Sequence, residues 1–132
     1  MVGRVLVMDD DELMRELLRL HLCGAGYEVL LAEDAVVAGH LVLKEPPDLV
    51  LADIEMPYMS GLELVEAMKA DPATRSIPVI FVTSRTDAEA RARQLGAVGY
   101  LVKPLHVDNL LAMVAKHIKA GISARRAATP AV

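Results

Sequence analysis

The sequence predicts an α/β fold, a doubly wound parallel sheet of five strands with a helix after each strand. Three observations predict it. Short apolar blocks recur along the chain at Val5–Met8, Tyr27–Leu31, Leu49–Ala52, Val79–Val82 and Tyr100–Val102. Most are rich in β-branched residues and lack polar alternation, which is the pattern of strands covered on both faces. Between them lie stretches with apolar residues at helical spacing, and Gly or Pro separates the two kinds. A regular β-α alternation implies right-handed crossovers, with helices on both faces of a parallel sheet.

Taken in order, the first strand runs straight into Asp9, Asp10, Asp11 and Glu12. A helix over Glu12–Cys23 follows, with Leu13, Met14, Leu17, Leu18 and Leu22 at helical spacing, and Gly24 and Gly26 end it. The second strand leads to a helix over Ala35–Lys44, closed by Pro46–Pro47, where the ring blocks helix continuation. The third strand ends at Asp53 and is followed by a helix over Gly61–Ala70, after which Pro72 and Pro78 bracket a loop. The fourth ends at Thr83 and Ser84. The next helix, Asp87–Leu95 (DAEARARQL), has few large apolar anchors and is expected to be the loosest element. The fifth strand ends at Lys103. The last helix, His106–Lys119, carries Val107, Leu110, Leu111, Val114 and Ile118 on one stripe. Residues 1–120 thus read as one domain. Gly121–Val132 (GISARRAATPAV) loses the apolar period and reads as a linker or frayed end.

Composition narrows the function classes. A chain of 132 residues fits a single domain. With 54% apolar but only 3% aromatic residues, its core must be aliphatic. The net charge of −4, without a basic block, argues against direct nucleic-acid binding by this segment. Cys23 is the single cysteine, so no internal disulfide forms, which fits a reducing compartment. No apolar run approaches the ~20 residues of a membrane span, and the N-terminal apolar stretch is too short for a signal peptide. These features lead to the expectation of a soluble cytoplasmic domain without membrane contact. His21, His40, His106 and His117 are scattered and read as surface residues. Gly24–Gly26 precedes a strand, so it is not a dinucleotide-binding loop.

In a doubly wound sheet, sites form at the carboxyl edge of the strands near the switch in strand order. Asp9 and Asp10, Asp53, Thr83 with Ser84, and Lys103 follow four different strands and arrive at that edge together. Each alone could be a loop residue, and Asp11 and Glu12 suit a helix cap and first turn. Together they describe a chemistry. Three carboxylates in one cleft repel unless cations sit among them. Lys103 supplies one charge, and a hard divalent ion such as Mg²⁺, which takes oxygen ligands, could supply two more. A carboxylate can attack phosphorus to give an aspartyl phosphate, and phosphoryl transfer needs mainly in-line positioning and cations on the equatorial oxygens.

The segments VLVMDDDEL, DLVLADIEMPYMSGLEL, IPVIFVTS and GAVGYLVKPL, in that order and spacing, resemble the receiver domains of two-component response regulators, from Arg4 to Ile118. The resemblance implies a flavodoxin-like (βα)5 sheet of strand order 2-1-3-4-5. It implies a signalling domain, not an enzyme with a separate substrate, that takes a phosphoryl group on Asp53 from a histidine kinase or histidine phosphotransfer protein. Mg²⁺, for which Mn²⁺ can substitute, would be held by Asp9, Asp10, Asp53 and the backbone carbonyl of Glu55. Lys103, Thr83 and Ser84 would attend the phosphate, and Thr83 and Tyr100 would switch together. Pro104 would follow a cis peptide bond. Met56, Pro57 and Gly61 would shape the loop after Asp53. Glu55 and Arg85, opposite in charge at the site mouth, would tune reaction rates and are expected to pair. An output domain, downstream protein or second copy would dock on the face formed by the fourth helix, fifth strand and fifth helix. The kinase would dock on the first helix around Met14 and Leu18. Two rival readings accompany this one: a receiver-like adaptor working without phosphate, and a haloacid-dehalogenase-type phosphatase using Asp9 with Asp11. The second rival lacks the usual Thr or Val at Leu13 and has little room for a substrate cap.

Overall fold

The structure, a computed structural model, describes residues 2–128. The strands are β1 (Arg4–Met8), β2 (Glu28–Ala32), β3 (Leu49–Ala52), β4 (Val79–Thr83) and β5 (Gly99–Val102), each followed by a helix: α1 (Glu12–Gly24), α2 (Ala35–Lys44), α3 (Gly61–Ala70), α4 (Glu89–Gln94) and α5 (Val107–Ala128). All neighbouring strands pair in parallel, in the order β2-β1-β3-β4-β5. The sequence therefore turns back across β1 on the way from β2 to β3, which places the switch point between β1 and β3, where their carboxyl ends diverge.

The period of two along each strand divides the core into two layers. Val5, Val7, Leu49, Leu51, Ile80 and Val82 face α1 and α5, meeting Leu18, Leu22, Leu110, Val114 and Ile118. Leu6, Met8, Val50, Ala52 and Phe81 face the other side, against Ala38 and Val42 of α2, Leu64, Val65 and Met68 of α3, and Ala88 and Ala92 by α4. Apart from Arg4 at the start of β1, the central strands are buried along their whole length, as a parallel sheet covered on both sides requires. Coverage is incomplete at the edges: β2 is mostly half-exposed and starts one residue later than the apolar block, and Val102 on β5 faces solvent.

Local chemistry explains most helix starts. Asp11 caps α1, its carboxylate accepting from the Leu13 and Met14 amides. Asp34 caps α2 through the Val37 amide, and Ser60 and Glu63 form a capping box on α3. The fourth helix is shorter than the expected Asp87–Leu95. Ala88 occupies its cap position and, as an alanine, offers no side-chain acceptor, while the neighbouring Asp87 carboxylate is engaged by the Arg85 guanidinium.

The expected linker is the main departure. Instead of ending at Lys119, α5 continues through Gly121 to Ala128. The reason is tertiary. Gly121 is buried, and its helix passes so close to the chain before β3 that a Cβ there would lie 1.6 Å from the Asp48 carbonyl oxygen. One turn further, Arg125 Nε lies 2.7 Å from Oδ1 of the fully buried Asp48, whose Oδ2 accepts from the Arg4 amide at 2.8 Å. Residues 129–132 of the expected tail lie outside the described residues. The face expected on α1 also differs: Leu18 is buried and Met14 half-buried, whereas Leu13, Leu17 and Leu20 form the exposed stripe.

Candidate functional site

The carboxyl edge collects the residues that the sequence singles out. Asp9 and Asp10 leave β1, Asp53 leaves β3, Thr83 closes β4 and Lys103 follows β5. One carboxylate oxygen from each of Asp9, Asp10 and Asp53 lies within 4.8 Å of the others. Asp9 and Asp53 are buried, and Asp10 is exposed. Lys103 Nζ bridges the two buried acids, donating to Asp9 Oδ2 at 2.7 Å and Asp53 Oδ2 at 2.8 Å.

Their second oxygens are held by backbone. Asp9 Oδ1 accepts from the Asp11 amide at 2.9 Å. Asp53 Oδ1 accepts from the Ile54 amide at 2.6 Å and the Glu55 amide at 3.3 Å. Burial pushes the Asp9 carboxyl above its ordinary value, and the hydrogen bonds from Lys103 and the Asp11 amide only partly oppose it. For Lys103 the balance is opposite. Burial alone would lower its value, but its hydrogen bonds and charge contacts with Asp53 and Asp9 together hold it above the usual lysine range. One ammonium thus neutralises part of a three-carboxylate cluster that remains rich in hard oxygen donors. That donor set suits Mg²⁺ or Mn²⁺ and not a soft metal.

Gly61 makes this corner possible. Its amide donates to the Ile54 carbonyl at 2.9 Å, and a Cβ there would lie 1.9 Å from the Asp53 carbonyl oxygen. The loop between them includes Tyr58 at φ 72°, a left-handed conformation rare for an aromatic residue. The Lys103–Pro104 peptide is cis.

Thr83 is fully buried, and its Oγ1 accepts from the Arg85 amide at 3.2 Å. Tyr100 packs at a tilt against Phe81 and donates its hydroxyl to the Arg85 carbonyl at 2.6 Å. Arg85 therefore links Thr83 to Tyr100 through its own backbone. Ser84, between Thr83 and Arg85, is exposed.

Family comparison decides what kind of corner this is. The profile of the response regulator receiver domain matches residues 5–115. The chain belongs to the response regulator receiver family. It is 36% identical over 115 residues to the phosphate regulon transcriptional regulatory protein PhoB of Pseudomonas aeruginosa, covering 85% of this chain and 50% of that protein. It is 34% identical over 120 residues to the polar-differentiation response regulator DivK of Brucella ovis, covering 89% of this chain and 98% of that one. The crystal structure of a putative response regulator from Chloroflexus aurantiacus superposes with a TM-score of 0.86 at 30% identity, over 90% of this chain and 99% of the other. The receiver thus spans about half the length of PhoB and nearly all of DivK.

Two residues near the receiver's acidic corner, Asp87 and Arg15, had no role there in the sequence reading. Arg85 reaches Glu55, as expected, but at 3.7 Å, and its main partner is Asp87, gripped at 2.9 and 3.1 Å. A charge two positions along the same loop was the available signal. Arg15, on the first full turn of α1, donates Nη1 to the Asp9 carbonyl at 2.7 Å. Its signal was the helical back-lean of side chains, which carries a residue one turn after Asp11 toward the helix start.

Proposed function

We propose that this receiver accepts a phosphoryl group on Asp53, with Mg²⁺ or Mn²⁺ held by Asp9, Asp10, Asp53 and the Glu55 carbonyl, and signals by changing conformation. The observation that carries this reading is the Lys103 bridge between Asp9 and Asp53, with three carboxylates converging at the switch point. An Asp53 oxygen attacks the phosphorus of a phosphorylated imidazole on a histidine kinase or phosphotransfer protein. The O–P bond forms, the N–P bond breaks, and the electron pair stays on the departing imidazole nitrogen. A divalent ion held by Asp9, Asp10 and Asp53 would supply positive charge for the phosphoryl oxygens. Lys103 already touches an Asp53 oxygen and so lies within reach of the new group. The exposed Ser84, being small, leaves the approach open.

The switch follows from the hydrogen bonds around Arg85. Thr83 turns its hydroxyl to the new dianion by giving up the Arg85 amide. Displacing that loop removes the Tyr100 acceptor. The change is therefore passed to α4, β5 and α5, and α4 has only Ala92 fully buried to resist it. That face carries a groove lined by Val98, Leu101 and Met113 with Arg93, Lys116 and His117 around it, a site for an output domain, a downstream protein or a second copy. The exposed α1 stripe suits the kinase side.

This reading makes the protein a signalling domain that turns over only its own phosphate, working in the cytoplasm without direct nucleic-acid or membrane contact. No helix among the described residues is long and apolar enough to cross a membrane. The phosphatase reading draws no support, since Asp11 is committed to capping α1 and Asp9 to Lys103. The adaptor reading gives no reason for the intact acidic cluster. Acetyl phosphate with Mg²⁺ is expected to add one acid-stable, base-labile phosphoryl group, read by intact-mass spectrometry, that is lost in Asp53→Asn and suppressed by chelation. Undiminished labelling of Asp53→Asn would overturn the assignment.

A further inference from the structure

We propose that Arg15 is a positioning residue for the divalent-ion site, fixing the peptide between Asp9 and Asp10. Its guanidinium is partly buried, and Nη1 donates to the Asp9 carbonyl at 2.7 Å. That carbonyl belongs to the planar peptide joining the two acids, so its direction sets how the Asp10 Cα–Cβ bond points relative to Asp9. Arg15 grips the loop a second time through its own amide, which donates to the Asp11 carbonyl at 3.0 Å.

The other anchors of the loop lie on either side of Asp10, on Asp9 and on Asp11, whose carboxylate caps α1. The Asp9 amide donates to the Ala32 carbonyl at 3.1 Å, and the Asp9 carboxylate takes Lys103 and the Asp11 amide. Asp10 itself is exposed. Of the described contacts, the Arg15 clamp is what ties its leading peptide to the helix. The bond is charge-assisted, and hence among the stronger ones available to a loop.

Two effects of Arg15 on a bound cation oppose each other. Its positive charge beside the cluster repels Mg²⁺, whereas its hydrogen bond preorganises the ligands. The guanidinium rests on a backbone carbonyl in a partly solvated position where charge is screened, so positioning wins. Loss of Arg15 then weakens Mg²⁺ binding, although it removes a like charge.

The inference rests on the Mg²⁺ reading above, and the test separates the two. Mg²⁺ affinity of the full chain is measured by isothermal titration calorimetry and by Mg²⁺-dependent shifts of the Asp9–Asp11 amide resonances, for the native protein, Asp10→Asn, Arg15→Met, Arg15→Gln and Arg15→Lys. Arg15→Met and Arg15→Gln are expected to raise the Kd about tenfold, the scale set by residues that orient metal ligands, while the unfolding midpoint in EDTA moves little. Arg15→Lys, which keeps the charge and one donor, is expected to recover the Kd to within about threefold of native. A role confined to fold stability would shift the EDTA midpoint and leave Kd alone. Should Arg15→Met not fold, Arg15→Gln carries the comparison. An unchanged or tighter Kd in the folded Arg15 variants, with native binding intact and lost in Asp10→Asn, overturns the positioning role alone. Failure of the native chain to bind Mg²⁺ overturns the ion-site reading, and this inference with it.

Discussion

Replacing Arg125 by Met tests whether the end of α5 belongs to the folded body. Asp48 is fully buried. Its Oδ2 accepts from the Arg4 amide, but its Oδ1 receives no aligned hydrogen bond and depends on the close charge of Arg125 Nε at 2.7 Å. Removing one partner of a buried ion pair costs about 3–5 kcal/mol, because the other charge stays desolvated. Arg125 keeps 27% of its side chain in water, and the Arg4 amide stays on the carboxylate, so the cost falls to the bottom of that scale or just below it, about 2–3 kcal/mol. In a domain of this size 1 kcal/mol moves the midpoint by roughly 3–5 °C, giving a drop of roughly 6–15 °C. The assay is thermal unfolding followed by circular dichroism, with Arg126→Met, an exposed neighbour, as the control expected to change little. Adding Asp48→Asn to Arg125→Met should recover part of the loss, since a neutral amide needs no cation. An Arg125→Met midpoint equal to that of Arg126→Met would refute the reasoning and return this segment to the status of a frayed end.

Other expected outcomes follow from the site. Gly61→Ala places a methyl group where the Asp53 carbonyl sits, and is expected to destabilise by about 1–3 kcal/mol in urea titration; a neutral outcome would mean the loop after Asp53 is free to shift. On dephosphorylation rate, Asp87→Gln is expected to couple to Arg85→Gln more strongly than Glu55→Gln does, because Asp87 holds the guanidinium in two hydrogen bonds. Either effect should stay below about fivefold, the ceiling for an exposed pair, and simple additivity would remove Arg85 as a gate. In the metal-free protein the Asp9 carboxyl is expected to titrate above the usual 3.8, read by carboxyl carbon NMR. Lys103→Met removes a hydrogen bond that lowers it and should raise it further; a fall would contradict the assigned cause. The linkage signs differ. Ionised Asp9 is disfavoured in the fold, so its cost is present above its folded value and relieved as pH falls through that value. Lys103, raised above 10.5, stabilises the fold below 10.5 and loses that contribution as pH climbs through its folded value.

What was legible in the sequence divides along a physical line. Strands and most helices followed from signals within a few residues: β-branched runs, the apolar period, and the Asp11 cap. The site was legible because a parallel sheet delivers every strand's carboxyl end to one edge, so Asp9, Asp10, Asp53, Thr83 and Lys103 had to meet whatever the loop details. Most of the failures involve partners chosen by tertiary proximity, the local Arg85–Asp87 pair being the exception. Gly121 reads locally as a helix breaker, yet here its missing Cβ lets α5 pass a carbonyl 48 residues into the chain and continue. Arg125 reads as a tail charge until Asp48 is seen buried beneath it. Asp87 reads as the first residue of a helix, yet its carboxylate goes to Arg85 and α4 begins only at Glu89. Charged residues carry the weakest local signal because their long side chains and solubility let them fit almost any exposed position. Their roles are fixed only by which carbonyl or opposite charge the fold brings within reach. Arg15 sits in the same class: its sequence position says only that it faces back along α1, and the fold decides that the Asp9–Asp10 peptide is what it meets.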